Sequence, residues 1–227
     1  NIDRFAGGLT RGEVSIIGGR PGHGKTTFML NLLFEAIHNG HRVCMFNREL
    51  PNTEVIKKII CMESGKISYS MLRKGILSDT ELGHLELVKN KMIGLYRNDN
   101  FLMFVSYKGR EEQRRLQLEE LVNNYKWLGK EMNCVVILAS QLNRGVEFRN
   151  GMPQLSDLAE SGAIEQVAEN VFFVFYDYKV KGEKSEKGKN VITISARKVR
   201  YGETGDVDLG FEGDKCRFYN TQEEMFG

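Results

Sequence analysis

Residues 19–26 read Gly19-Arg20-Pro21-Gly22-His23-Gly24-Lys25-Thr26, a complete G-x-x-x-x-G-K-[ST] pattern. No other stretch constrains the fold as much, because this loop works only between the end of a strand and the start of a helix. Both flanks comply. Val14-Ser15-Ile16-Ile17 is a short apolar strand run, and Thr26 to Asn39 places Phe28, Leu32, Leu33 and Ala36 at helical spacing before Gly40 stops the helix. Glycines let the backbone curl so that successive N–H groups aim at phosphate oxygens. The helix start adds partial positive charge. The pattern therefore assigns Gly19, Arg20, Pro21, Gly22, His23, Gly24, Lys25, Thr26 and Thr27 to nucleotide binding. Lys25 is expected at the β- and γ-phosphates of ATP, and the Thr26 hydroxyl on Mg2+. His23 is expected in a backbone role rather than a catalytic one.

Beyond the loop, strand and helix patterns alternate. Arg42 to Asn47 reads as a second buried strand, Asn52 to Ser64 as a helix, and Asp79 to Lys91 as a helix with Ser78 as N-cap. Phe101 to Val105 is a third strand, Glu111 to Met132 a long amphipathic helix, and Cys134 to Ala139 a strand buried on both faces. Val171 to Phe175 and Val191 to Ala196 are late strands. This order predicts a single α/β domain over residues 1–227, a largely parallel twisted sheet flanked by helices. The stretch from Lys179 to Lys189 carries five lysines against two glutamates. It is either a solvated tip or a contact for DNA or a partner.

Composition narrows the classes. At 41% apolar and 27% charged residues the chain suits one domain with a substantial core. No apolar run approaches the ~20 residues that span a bilayer. Asn1 to Phe5 lack the apolar core of a secretory signal, so a cytoplasmic place, the nucleoid included, is expected. Cys44, Cys61, Cys134 and Cys216 form no C-x-x-C pair and are expected as buried free thiols rather than zinc ligands. A net charge of +2 does not announce nucleic acid, so any DNA contact must be local.

Four further positions carry hydrolytic potential. Glu49 directly follows the second strand, where a carboxylate can orient water, or it is a solvated loop residue. Gln141 ends the Cys134–Ala139 run in the same way, and its amide can sense a γ-phosphate. Lys198 and Arg200, taken as alternating in the last strand, share one face there. They either line a solvated edge or clamp a phosphate bound by a neighbouring subunit.

Together these segments resemble the C-terminal motor domain of DnaB-type replicative helicases, a RecA-like P-loop NTPase family. The resemblance is carried by Gly8-Leu9 to Thr27, Phe46 to Leu50, Leu72 to Gly75 with Leu77 to Asp79, Ser140 to Arg144, Asp157 to Gln166 and Ala196 to Gly213. It implies ATP hydrolysis at subunit interfaces of a homo-oligomer, expected as a hexameric ring, that moves single-stranded DNA and unwinds duplex DNA. Glu49 becomes the water-polarising base, Gln141 the γ-phosphate sensor, and Lys198 and Arg200 fingers toward the adjacent subunit. Glu160, Ser161 and Gly162 match the central-channel loop that holds the DNA backbone, with Ala159 standing where the family commonly has arginine. Primase and a helicase loader are the implied further partners. The replication fork is the implied location, in host cytoplasm for a viral source. The amino-terminal domain and linker helix of a full-length member are expected to be absent here.

One departure is larger. The family's sheet contains a strand ending in a magnesium-associated Asp followed by Tyr, whereas Phe101 to Val105 ends in Ser106-Tyr107. Either the acid is truly lost, which weakens metal positioning, or, as the favoured expectation, a segment is omitted near residues 98–111. Two other functions stay open: a RecA- or clock-type ATPase ring that does not unwind, and a nucleotide-dependent scaffold that recruits replication partners.

Overall fold

The computed structural model describes residues 3, 7–46, 49–97, 102–105, 114–143, 145–146, 151–158, 165–221 and 223–225. In chain order the strands are β1 (Val14–Gly19), β2 (Val43–Phe46), β3 (Leu102–Val105), β4 (Val136–Gln141), β5 (Asn170–Phe175), β6 (Val191–Lys198), β7 (Gly205–Glu212) and β8 (Arg217–Tyr219). The α-helices are α1 (Lys25–His38), α2 (Asn52–Ser64), α3 (Tyr69–Lys74), α4 (Asp79–Arg97), α5 (Arg114–Glu131) and α6 (Asp177–Lys181). The chain divides into two compact units, Asn1–Thr26 with Glu111–Phe211 and Tyr219–Gly227, and Thr27–Arg110 with Glu212–Phe218.

The first unit is built on a sheet whose strand order is β4-β1-β5-β6-β7, followed by the short β8. β1 lies between two parallel neighbours, with Ile16 paired to Leu138 of β4 and to Val171 of β5. Every residue of β1 and β5 is buried, as their near-continuous apolar runs require of strands covered on both faces. Parallel pairing stops at β5. α6 and a 3-10 turn at Gly182–Lys184 fold the chain back, so β6 runs antiparallel to β5. Only residues 199–204 separate β6 from β7, too few for a crossover, and that pair is antiparallel too. The α/β class holds, with parallel pairing in this sheet confined to β4, β1 and β5.

Val14, Ile16, Val122, Val136, Leu158, Ala168, Val171 and Phe173 form the core of this unit. At Gly18 an added Cβ would lie 2.7 Å from the Phe173 ring, so the glycine is there for close packing. β4 is not buried on both faces as expected: Ala139 and Gln141 are exposed. It is the outermost strand, and among the described residues it pairs with β1 alone.

In the second unit β2 and β3 pair in parallel as a two-stranded sheet, Val43 opposite Leu102. β2 is also less buried than its sequence suggests. Cys44 and Phe46 point outward, because a two-stranded ribbon has no second layer of strands to close its face. Leu30, Phe34 and Ile37 of α1 pack with Val55, Ile59 and Met62 of α2 and with Cys216. Helix ends follow local chemistry. Gly65 caps α2 in the left-handed conformation, its N–H donating to Cys61 O, and Ser78 with Glu81 forms a reciprocal cap at the start of α4. All four cysteines are free; Cys61 and Cys216 are buried, Cys134 is half-buried, and Cys44 departs from the expected burial. Among the described residues no helix is long and apolar enough to cross a membrane.

Candidate nucleotide-binding site

The phosphate loop leaves β1 at Gly19 and enters α1 at Lys25. Gly22 and Gly24 take φ of 72° and 94°, which only glycine adopts without strain. At Gly19 a Cβ would stand 3.1 Å from Val174 O of β5, so the sheet comes within touching distance of the loop backbone.

Lys25 is the first residue of α1 and is largely buried; its Nζ donates to Ser140 O at 3.2 Å. That bond ties the lysine to the end of β4, one residue before Gln141. Gln141 itself is exposed and is the strand partner of Gly19. The amide thus sits beside the first glycine of the loop. Thr26 follows on the first turn of α1, half-buried. Its hydroxyl is a hard oxygen donor, which fits a magnesium ion whose remaining ligands are phosphate oxygens and water. Thr27 begins the second unit, where Lys58 Nζ lies 3.5 Å from its hydroxyl.

Three side chains brace the loop, two of its own and one from beyond β5. His23 is buried, and its Nδ1 accepts the Tyr176 N–H at 3.0 Å, which places the ring proton on Nε2. Burial, with Arg20 and Lys179 nearby, pushes the imidazole down to about 4. Lys179 Nζ donates to Gly22 O at 3.3 Å, and the Arg20 guanidinium donates to Gly151 O at 3.3 Å while lying over the Phe175 ring. Sequence reasoning did not single out Ser140, Tyr176 or Lys179 for this loop. Each acts from a distant part of the chain, two of them through main-chain atoms that no motif encodes.

Beyond Gln141 the chain is stitched to a later segment. Leu142 forms an antiparallel bridge with Leu158, the Asn143 N–H donates to Asp157 O at 2.8 Å, and its Nδ2 donates to Leu158 O at 3.1 Å. Asp157 closes a capping box with Gln154 over the 3-10 turn Leu155–Asp157. Ala159, Glu160, Ser161 and Gly162, which follow directly, lie outside the described residues, as do residues 98–101 and 106–111, where the omitted segment is expected. Glu49 is exposed in a bend after β2 and belongs to the second unit.

Lys198 closes β6, and its Nζ donates to Glu165 O at 2.6 Å. Arg200 departs from expectation: it lies past the strand, in a bend, so the two cations do not share a face by strand alternation. The ladder is also irregular here, Val171 pairing with Lys198 but Phe172 with Ala196. Instead Arg200 is held by two consecutive residues at the start of β5. Its N–H donates to Asn170 Oδ1 at 3.3 Å and its Nη1 to Glu169 Oε1 at 3.0 Å. Lys126 of α5 contacts the same Oε1 at 2.5 Å, and Glu169 Oε2 accepts the Val14 N–H at 3.0 Å. Burial would raise the Glu169 carboxyl, but the Lys126 and Val14 hydrogen bonds and the two cations outweigh it and hold it below the usual range. Val14 opens β1 and Gly19 closes it. Arg200 is therefore anchored a strand's length, roughly 17 Å, from the phosphate loop of its own chain.

Comparison with known proteins agrees with this architecture. The family described as DnaB-like helicase C terminal domain matches residues 1–103 and 87–220. The chain is 30% identical to the Replicative DNA helicase DnaC of Bacillus subtilis (strain 168) and to the Replicative DNA helicase DnaB of Geobacillus stearothermophilus, each over 97% of this chain and 55% of the relative. It thus spans about half the length of these relatives. Both alignments run over 253 residues against 227 here, so the relatives carry residues without a counterpart in this chain. Among solved structures, the ATPase domain of G40P superposes with a TM-score of 0.83 at 27% identity, covering 96% of this chain and 88% of that one. A DnaB-like replicative helicase, described with its interactions with primase, gives 0.83 at 25%, covering 96% and 59%. The phosphate loop, the strand order around it and these matches converge: the chain belongs to the DnaB-like helicase C-terminal domain family.

Proposed function

We propose that this chain is the motor of an ATP-driven replicative DNA helicase that works as a homo-oligomeric ring, a hexamer in the first instance. One observation carries the reading. The phosphate loop follows the last residue of β1 while Arg200 is tied through Glu169 to the first, so Arg200 serves a nucleotide only when it belongs to an adjoining copy. A complete site then takes Lys25, Thr26 and Glu49 from one subunit and Lys198 and Arg200 from the next. Lys25 and the loop N–H groups bind the polyphosphate, Glu49 orients the attacking water, and Gln141 senses the γ-phosphate. Bound with ATP through Thr26, Mg2+ supplies charge neutralisation at the phosphates. Loss of the γ-phosphate at Gln141 is passed through Leu142 and Asn143 to the segment ending at Leu158. From there it reaches Glu160, Ser161 and Gly162 on single-stranded DNA. The similarity to a DnaB-like helicase described with its interactions with primase supports primase as a partner, and a loader and a place at the replication fork follow from the same role. The surplus of aligned residues in the relatives, and the two overlapping family matches that share residues 87–103, support a missing segment near 98–111. That segment would bring the strand-end Asp.

The test mixes two variants. Arg200→Ala and Lys25→Ala are each expected to lose ATPase activity in homogeneous rings, and mixing them to restore part of it through sites with an intact half from each. If neither variant is impaired alone, or no mixing ratio restores turnover, the shared-site reading fails. The absent acid favours one second reading, a nucleotide-dependent scaffold that hydrolyses little. Steady-state ATPase with and without single-stranded DNA separates the two, since only a motor is stimulated. Strand displacement on a forked substrate separates a helicase from a ring that does not unwind.

A further inference from the structure

The Glu169 carboxylate is 3% exposed, yet it faces two cations and a main-chain N–H. Its Oε1 takes both Lys126 and Arg200, and its Oε2 takes the N–H of Val14. The Arg200 side chain is 53% exposed although both its ends are held: Asn170 takes the main-chain N–H and Glu169 takes Nη1, with the guanidinium carbon 5.3 Å from the Tyr201 ring. Asn170 is itself fixed, its Nδ2 donating to Glu13 Oε2 at 3.1 Å and to Ser15 Oγ at 3.2 Å. A long guanidinium side chain loses rotamer freedom when ordered, and here much of that ordering is completed before any partner arrives. Lys126 gives the carboxylate a second, permanent counter-charge, so Arg200 can shift toward an incoming phosphate without leaving a buried charge bare.

We propose that Glu169 is the positioning residue for Arg200, aiming the guanidinium outward and linking it to the first residue of the strand that carries the phosphate loop. This rests on the reading that Arg200 acts on the nucleotide of an adjoining copy. The carboxylate touches no nucleotide; it acts through Arg200.

The experiment compares Glu169→Gln, Arg200→Ala, the double variant and Lys126→Gln in the assembled protein, with steady-state ATPase and equilibrium binding of a non-hydrolysable ATP analogue. Glutamine keeps the shape and an acceptor for Val14 while removing the charge that holds Arg200. Glu169→Gln is expected to lower kcat by about tenfold to a hundredfold, with analogue affinity within about twofold of native. The double variant should fall no lower than Arg200→Ala alone. Lys126→Gln removes the other cation from the same oxygen but leaves Arg200 held, so its kcat should stay within about threefold of native. Native turnover in Glu169→Gln beside an impaired Arg200→Ala overturns the inference and leaves the shared-site reading standing. So does a double variant whose loss is the product of the two single losses, or a Lys126→Gln loss as large as that of Glu169→Gln. Native turnover in Arg200→Ala sinks both. Should Glu169→Gln fail to fold, Glu169→Asp keeps the charge but withdraws it by one methylene. It is held to the same pattern of lowered kcat, unchanged affinity and no added loss with Arg200→Ala, and native turnover in it overturns the inference.

Discussion

At the phosphate loop, His23 contributes an acceptor rather than a charge. Its Nδ1 takes the Tyr176 N–H, and protonation there would break that bond and bury a cation beside Arg20 and Lys179. The imidazole is depressed from 6.5 to about 4, so its contribution to stability is complete above pH 6.5 and is lost as pH falls through about 4. Urea unfolding measured across that window should show a downward slope, and His23→Asn, whose amide oxygen can accept the same N–H, should flatten it. His23→Leu leaves the Tyr176 N–H without its acceptor and should cost about 1–3 kcal/mol at neutral pH. Lys25 is a different case, since its ammonium is the loop's point charge. Lys25→Ala should weaken MgATP binding by at least about tenfold in calorimetry while leaving the sheet intact. The motif itself is fully legible in sequence, but the bonds from Ser140, Tyr176 and Lys179 that hold the loop are not. They connect positions more than a hundred residues apart, two of them through main-chain atoms.

Among the elements, β1 and β5 set the geometry because both are buried throughout and lie in contact at Gly18 and Phe173. Gly18→Ala would push a methyl into that ring, and the overpacking should cost about 1–3 kcal/mol, visible as a lowered midpoint in thermal unfolding. The 142–143 and 157–158 segments are stitched together by the Leu142–Leu158 bridge and by Asn143. Asn143→Ala removes its side-chain bond to Leu158 O, worth roughly 1 kcal/mol. Basal ATPase should survive this change while stimulation by single-stranded DNA falls; equal loss of both would refute a transmitting role. Periodicity located most helices and strands to within a few residues, including Asn52 to Ser64 without error. It overstated the burial of Arg42 to Asn47 and Cys134 to Ala139, because an apolar run cannot tell a central strand from an outermost or two-stranded one. Arg200 differs from expectation because the strand ends at Lys198, so the alternation on which the shared face depended does not reach it.

At the scale of the whole molecule, the proposed shared site makes each chain one half of a composite machine. On that reading Arg200, held beside the start of β1, serves the phosphate loop of an adjoining copy, so turnover per subunit should rise with protein concentration through the range where rings form. An ATPase rate per subunit independent of dilution, down to monomer, would contradict the ring. The missing strand-end acid is a whole-molecule matter too. Inserting between residues 98 and 111 a helix–strand segment from a relative, ending in Asp, should raise ATP turnover by at least about tenfold. Changing that Asp to Asn should cancel the gain.

Alone, the order of residues determined the α/β class, the phosphate loop with its lysine and threonine, and the family to which the chain belongs. Those features are local: a curled loop, a helix start and an apolar strand run are encoded by residues adjacent in sequence. Tertiary structure alone decided that β6 and β7 run antiparallel, that Gln141 stands beside Gly19, and that Glu169 gathers Lys126, Arg200 and the first N–H of β1. These depend on which strands become neighbours, a choice made by the packing of the whole sheet, and a buried carboxylate acquires its partners only once that packing exists.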